Sequence, residues 1–338
     1  MRFSVIIPLK GDNPYLRETL DGLMQLDHAD FETILLPDEP YSWGDSFRVI
    51  PTGPVGPAAK RDLALKQADG DIVAFLDDDT YPAREWLANA ARYFNDPRVA
   101  AIGGPAVTAP SDNSLQAASG YVYSSLLGGG NYAYRYRPER VREVDDYPTC
   151  NLLVRRTVME ELGGFDTTFW PGEDTKLCLE ITRRLHLKII YAPDVVVYHH
   201  RRALFRGHLK QVRSYAMHRG YFVKRFPETS FRLSYFLPTV LVLGMVTGAL
   251  SSLLMPVLWP LYAGGIGVYL IAVLLSAAAA SQGGRLAPLV AMGIVATHIV
   301  YGIWFVAGLV APRLSEETSA TAPLQAAPGE ANLRGTAQ

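Results

Sequence analysis

The sequence predicts an α/β domain, a mostly parallel sheet flanked by helices, followed by three transmembrane α-helices. Two observations carry this. Over residues 3–80, short apolar runs alternate with segments whose apolar residues recur at helical spacing, the pattern of strands joined by crossover helices. Between Tyr235 and Ala311 the only charged residue is Arg285, and so sustained an apolar stretch suits hydrocarbon better than water.

The elements follow in order. "FSVIIPL" (3–9) is a short apolar run containing Pro8 and reads as a buried strand, not a signal peptide. "PYLRETLDGLMQL" (14–26) places Leu16, Leu20, Leu23 and Leu26 on one helical face. "FETILLPD" (31–38) is a second strand ending in Asp38, and "GPAAKRDLALKQA" (56–68) a helix after a Gly/Pro entry. "DIVAFLDDD" (71–79) is the next strand, and "TYPAREWLANAARYF" (80–94) the next helix. Ligands of such sheets bind beyond the carboxyl ends of the strands, where Asp38 and Asp77–Asp79 fall.

The 338 residues suit about two structural units. A net charge of −1 gives no global field that would gather nucleic acid, and none is expected as a partner. Two cysteines, Cys150 and Cys178, cannot build a disulfide framework, which fits a reducing compartment.

Three apolar stretches, near 236–257, 261–280 and 287–311, fill residues 235–311. Each approaches the roughly 20 residues that cross about 30 Å of hydrocarbon. "MPVLWP" and "SQGGRLAP" break them. Residues 201–232 hold nine Lys/Arg against the single acid Glu228, and Arg285 falls on the same side. The positive-inside rule therefore places residues 1–200 in the cytoplasm, at a cell inner or plasma membrane. Three crossings put the C-terminus outside. In 201–234, aromatic and basic residues interleave, as in an amphipathic segment lying on anionic membrane lipid. Residues 312–338 read as a disordered tail.

Asp77, Asp78 and Asp79 repel one another at one strand end. A hard cation such as Mg²⁺ or Mn²⁺ relieves this and shares its shell with phosphate oxygens. Strand alternation points Asp77 and Asp79 one way and Asp78 the other. The competing reading is a helix cap by Asp79 or Thr80 ahead of Pro82. One cap needs one side chain, not three.

Four motifs occur in order: "SVIIPL", "LLPD", "GPAAKRDLALKQADGDIVAFLDDDTYP", and the run from "CNLLVRR" through "GGFD" and "GED" to "VVVYHH". Over roughly residues 3–200 the chain resembles the family 2 glycosyltransferases. The resemblance implies a GT-A fold, with a Rossmann-like sheet, and inverting sugar transfer from a nucleotide-diphosphate sugar with Mg²⁺ or Mn²⁺. It implies that Pro8 and Leu9 line the nucleobase pocket and that Asp38 accepts a hydrogen bond from the base. Gly56, Lys60 and Arg61 would belong to the nucleotide-sugar site, and Asp62 stands where the family usually has Asn. Asp79 would be the direct metal ligand, with Asp77 and Asp78 toward the ribose and pyrophosphate; His199, and Asp77 with it, would complete the metal site. Asp174 would be the general base and Glu173 the alternative; both acids also suit the positive end of a helix. Cys150 and Asn151 would lie on the acceptor side.

Taken together, the sequence reads as 1–200 catalytic, 201–234 interfacial, 235–311 membrane-spanning and 312–338 tail. The expected activity is transfer of one sugar, from a donor of UDP type, to a lipid-linked or membrane-proximal acceptor at the cytoplasmic face. A processive polysaccharide synthase is the alternative, but "QVRSY" (211–215) departs from the QxxRW pattern of such enzymes. An inactive nucleotide-sugar-binding module would have lost Asp79 or Asp174. A transporter finds only His298 as an ionisable residue inside the spans. The Gly-rich stretch 126–140 lacks a phosphate-loop ending and suggests a lid or acceptor loop.

Overall fold

Strand alternation decides the architecture. Phe3, Val5, Ile7 and Leu9 face one apolar layer, while Ile6, Ile34 and Leu36 face another. A strand buried on both faces needs helices above and below it. The computed structural model describes residues 1–320 and supplies them.

The strands are β1 (Phe3–Pro8), β2 (Phe31–Leu36), β3 (Arg48–Val49), β4 (Ile72–Leu76), β5 (Thr80–Pro82) and β6 (Val99–Gly103). They continue with β7 (Ala106–Thr108), β8 (Arg142–Val144), β9 (Asn151–Arg155), β10 (Lys188–Tyr191) and β11 (Val197–His199). The main sheet has the order β3-β2-β1-β4-β9-β6-β10-β8. Only β9 and β8 run against the rest. A small second sheet, β5-β11-β7, stands beside it.

Helices α1 (Leu16–Met24), α2 (Pro57–Leu65), α3 (Trp86–Tyr93), α4 (Ser114–Ser124), α5 (Leu126–Gly129), α6 (Arg156–Leu162) and α7 (Glu173–Leu179) complete the domain. The helix expected from residue 80 begins only at Trp86, because Thr80–Pro82 pair with β11 as β5. In the stretch 126–140, expected as a lid or acceptor loop, Gly129 is close-packed: a Cβ there would lie 1.9 Å from the Tyr123 carbonyl oxygen. Leu127 N–H also donates to Ser276 Oγ at 3.1 Å.

Beyond the sheet come α8 (Arg206–Arg225), α9 (Pro227–Ser230), α10 (Leu233–Leu254), α11 (Trp259–Ala280), α12 (Ala287–Val310) and α13 (Ser315–Ala320). The apolar helices begin and end within a few residues of the stretches read from hydropathy. All three are long and apolar enough to cross a membrane. Of the tail expected to be disordered, Ser315–Ala320 is helical; residues 321–338 lie outside the described part.

Helix α8 packs against α12 through glycines, with Gly308 pressed on Met217 and Gly220 on Phe305. A Cβ on Gly308 would lie 1.9 Å from Met217 O, whereas one on Gly244 meets nothing within 4 Å. Gly308→Val should lower stability by about 2 kcal/mol through overpacking. Gly244→Ala should raise it by about 0.5 kcal/mol through reduced backbone entropy of the unfolded chain. Thermal unfolding of the detergent-solubilised protein reads both.

Candidate active site

The carboxyl ends of β1, β2 and β4 meet because the three strands run in parallel register, Phe3 opposite both Phe31 and Ile72. Pro8 ends β1 and is buried. Leu9 points into the core with Phe3, Val5 and Ile7, so its side chain does not line a pocket as expected. Its carbonyl has another task. Lys60 Nζ, buried on α2, donates to Leu9 O at 2.6 Å, to Leu36 O at 3.0 Å, and to the Asp38 carboxylate. An ammonium has three protons, and all are committed within the protein. Lys60 therefore fixes Asp38 at the strand ends and has no donor left for a diphosphate. Gly56 stands just before α2, and a Cβ there would meet nothing within 4 Å, so the space over this helix start is open.

Beyond β4 the three aspartates diverge as alternation requires. Asp78 accepts from Asn13 Nδ2 at 2.8 Å. Asp77 pairs with Arg61 Nη2 at 3.1 Å, and Asp79 with His199 Nε2 at 3.1 Å. The β5–β11 pairing brings His199 here by setting it opposite Thr80, and His200 N–H donates to Asp79 O at 3.0 Å. One ligand atom from each of Asp77, Asp79 and His199 lies within 4.8 Å of the others. Two carboxylates and an imidazole form a donor set that suits Mg²⁺ or Mn²⁺. The cap reading fails, since neither Asp79 nor Thr80 precedes a helix start.

The electrostatics separate the three. Burial, with Asp79 and Asp77 beside it, pushes Asp78 up to about 7. Burial also raises Asp77, against the opposing Arg61 charge. For Asp79, burial is outweighed by His199, Arg202 and Arg201, and its carboxyl stays below the usual range. The surroundings of Asp79 thus favour its ionised form, the form in which a carboxylate ligates a metal.

The second half of the site begins at Gly172, whose φ of 125° and contact with Phe222 admit no side chain. It turns the chain into α7. Glu173 is buried, bonded to Arg61 Nη1 at 2.9 Å and to Gly172 N–H at 3.1 Å. Asp174 is half-buried and accepts Thr175 N–H at 2.7 Å. Burial first, then the charges of Glu173 and Asp146, push Asp174 up to about 7. Cys150 sits among Asp77, Asp79 and Asp174; burial and these charges push its thiol up, so it is no nucleophile.

Asn151, expected on the acceptor side, is fully buried and fully used. It accepts from Trp86 Nε1 at 2.9 Å and donates to Gly104 O at 2.7 Å and Val195 O at 2.8 Å. Asp62, standing for the usual Asn, caps the "GGFD" turn by accepting Phe165 N–H at 2.8 Å. Three participants escaped sequence reasoning. Asn13 also caps α1, accepting from Tyr15 and Leu16 N–H, and "DNP" ahead of a helix was the missed signal. Arg201 donates to His199 Nδ1 at 3.0 Å. Asp146, held down to about 2 by Arg219 and Arg135 against its burial, binds the residue after Asp174 through Thr175 Oγ1. Nothing local in the sequence signals that cluster, because its members lie far apart along the chain.

Comparison with known proteins agrees with this layout. Residues 4–163 match the model of glycosyl transferase family 2. Over 152 residues the chain is 32% identical to the pre-mycofactocin glycosyltransferase of Mycobacterium tuberculosis, covering 45% of this chain and 31% of that protein. It is 33% identical over 110 residues to the poly(ribitol-phosphate) β-N-acetylglucosaminyltransferase TarS of Staphylococcus aureus, covering 28% and 19%. The chain thus spans under a third of the length of either relative. The mannosyltransferase PcManGT from Pyrobaculum calidifontis, solved with GDP-Man and Mn²⁺, superposes with a TM-score of 0.51. That likeness covers 92% of this chain and 88% of the other at 21% identity, and shows a shared GT-A-like fold. Residues 4–163 are a glycosyl transferase family 2 domain. The match ends before Asp174 and His199, whose roles stand on geometry.

Asn151 gives a clean test of what is scaffold. Asn151→Ala would leave Trp86 Nε1 and Val195 O without a partner and should cost about 3 kcal/mol, read by denaturant unfolding. An unchanged midpoint with weakened acceptor binding would instead restore Asn151 to the acceptor site.

Proposed function

We propose that the chain transfers a sugar, with inversion, from a nucleotide-diphosphate sugar to a lipid-linked or membrane-proximal acceptor at the cytoplasmic face of the membrane. The observation that carries this is the separation of duties between two adjacent acids. Glu173 is committed to Arg61 and a backbone N–H, whereas Asp174 accepts only the N–H of the next residue, Thr175, and is pushed up to about 7. A general base is most effective with a pKa near working pH. Asp174 would take the acceptor hydroxyl's proton as that oxygen attacks the anomeric carbon. The bond to the diphosphate breaks on the opposite face, and the nucleoside diphosphate departs.

Asp77, Asp79 and His199 would hold a divalent ion, which supplies charge neutralisation to the leaving diphosphate. Arg201 can only donate, so His199 Nδ1 is its acceptor and Nε2 carries the proton that faces Asp79. Ligation through Nε2 requires that proton to shift and Arg201 Nη1 to turn away. Asp38, fixed by Lys60, would receive the base. The Mn²⁺ and GDP-Man of PcManGT support a donor and ion of these classes. The Lys/Arg excess in 201–232 supports the cytoplasmic placement.

The test is transfer from labelled UDP- and GDP-sugars into membrane lipid extract, with the anomeric configuration of the product read by NMR. Wild-type protein should give the inverted product and need Mg²⁺ or Mn²⁺. Asp174→Asn should lose about 10²–10⁴-fold in kcat with donor binding kept. Because Asp174 works deprotonated, kcat should rise with pH through about 7 and level off above it. A retained configuration, or a fully active Asp174→Asn, would sink the proposal.

A further inference from the structure

The three apolar helices meet the catalytic domain in different ways. Helix α12 lies side by side with α8 along nearly its whole length, and the paired residues advance together. Leu204 packs on Gly293, His208 bonds Thr297 at 2.9 Å, and Arg213 stacks 3.7 Å over Trp304. Met217 then presses on Gly308, and Lys224 Nζ donates to Ala311 O at 2.6 Å.

Helix α8 cannot be inside hydrocarbon. It carries Arg206, Lys210, Arg213, Arg219, Lys224 and Arg225, charges that are costly there. Its other side belongs to the catalytic domain: His208 bonds Ser119 at 2.8 Å, Arg219 pairs with Asp146, and Phe222 packs on Gly172. A helix bound to α8 lengthwise shares its orientation. Yet the side of α12 away from α8 exposes Met292, Ile299, Ile303, Val306 and Val310, a single apolar stripe by its spacing of three, four and seven residues. Facing water, that stripe would be unfavourable; facing lipid, it is satisfied.

Both ends of α12 are also tied to the same domain. At its start, Gly293 touches Val122 of α4. Past its end, Leu314 packs with Phe169 and Phe222, Glu316 bonds His218 at 2.7 Å, and Tyr221 Oη donates to Glu317. Helices α10 and α11 behave otherwise. They touch α12 at Gly302 and His298, and the end of α11 packs Val273 and Ala277 with Ala118 and Val122 of α4, where Ser276 accepts the Leu127 N–H. Away from these contacts both helices run outward to an exposed apex at Met255–Trp259. With 22 residues each, they reach about 33 Å, the thickness of a bilayer core.

We propose that only α10 and α11 cross the membrane, as a hairpin. Helix α12 lies in the membrane plane, between the catalytic domain and the lipid. The chain past α12 therefore returns to the catalytic side, against the odd number of crossings read from hydropathy. The inference stands apart from the catalytic reading, since it uses no substrate and no activity.

The test places one cysteine at each of three exposed positions in the full chain: Glu161→Cys on the catalytic domain, Val257→Cys at the hairpin apex, and Arg313→Cys beyond α12. Sealed membrane vesicles of defined orientation receive a membrane-impermeant maleimide before and after permeabilisation. Arg313→Cys should label together with Glu161→Cys, and Val257→Cys only from the opposite face. Labelling of Arg313→Cys together with Val257→Cys overturns the in-plane helix. Labelling of Val257→Cys from the catalytic face overturns the crossing hairpin. A protease-cleavable tag after Gln338 reads the side of the C-terminal end independently.

Discussion

One buried positive charge organises the catalytic half of this molecule. Arg61 is almost wholly enclosed, and its two terminal nitrogens bond Asp77 at 3.1 Å and Glu173 at 2.9 Å. Asp77 begins the acidic cluster at the end of β4, and Glu173 begins α7, so one guanidinium spans the metal side and the base side. Its face lies against Phe75 and Phe165, a desolvated setting in which removing either partner would leave an uncompensated charge. The pairing also explains why adjacent acids differ. Glu173 is bonded to Arg61, while Asp174 beside it is pushed up to about 7, first by burial and then by the charges of Glu173 and Asp146.

A second buried charge cluster does the same for the junction with the membrane. Asp146 is shared by Arg135 from the Gly-rich stretch, Arg219 from α8, and Thr175 from α7. Next to it, Asp145 holds Arg232 at the threshold of α10. The helix that carries the proposed base and the helix that carries the membrane segments therefore meet on one carboxylate. Its pKa, held down to about 2 by Arg219 and Arg135 against its burial, keeps the junction charged across the physiological range. Asp146 contributes stability above the ordinary carboxylate range and loses it as pH falls toward 2.

Most of this was legible where the physics is local. Strand alternation placed β1, β2 and β4, and a third-strand terminus in three aspartates located the site. Hydropathy located α10–α12, because sustained apolarity needs no tertiary context. What stayed hidden was what side chains do once packed. Lys60 reads as part of the nucleotide-sugar site, but the strand-end carbonyls of Leu9 and Leu36 and the Asp38 carboxylate take its protons. Asn151 reads as an acceptor contact, but Trp86, Gly104 and Val195 consume its amide. Hydropathy also cannot say which way a helix lies: α12 is as apolar as α10, and only its contact with α8 distinguishes them.

As proposed, Asp77, Asp79 and His199 would form one ion site facing the diphosphate. It is tested most directly by a structure of the full chain with Mn²⁺ and a nucleoside diphosphate, with anomalous scattering recorded at the manganese edge. One peak is expected within bonding distance of the Asp79 carboxylate and a diphosphate oxygen, with His199 turned from Asp79 to the ion and Arg201 displaced from Nδ1. A peak elsewhere, or a bound diphosphate beside an unbroken Asp79–His199 hydrogen bond, would contradict it.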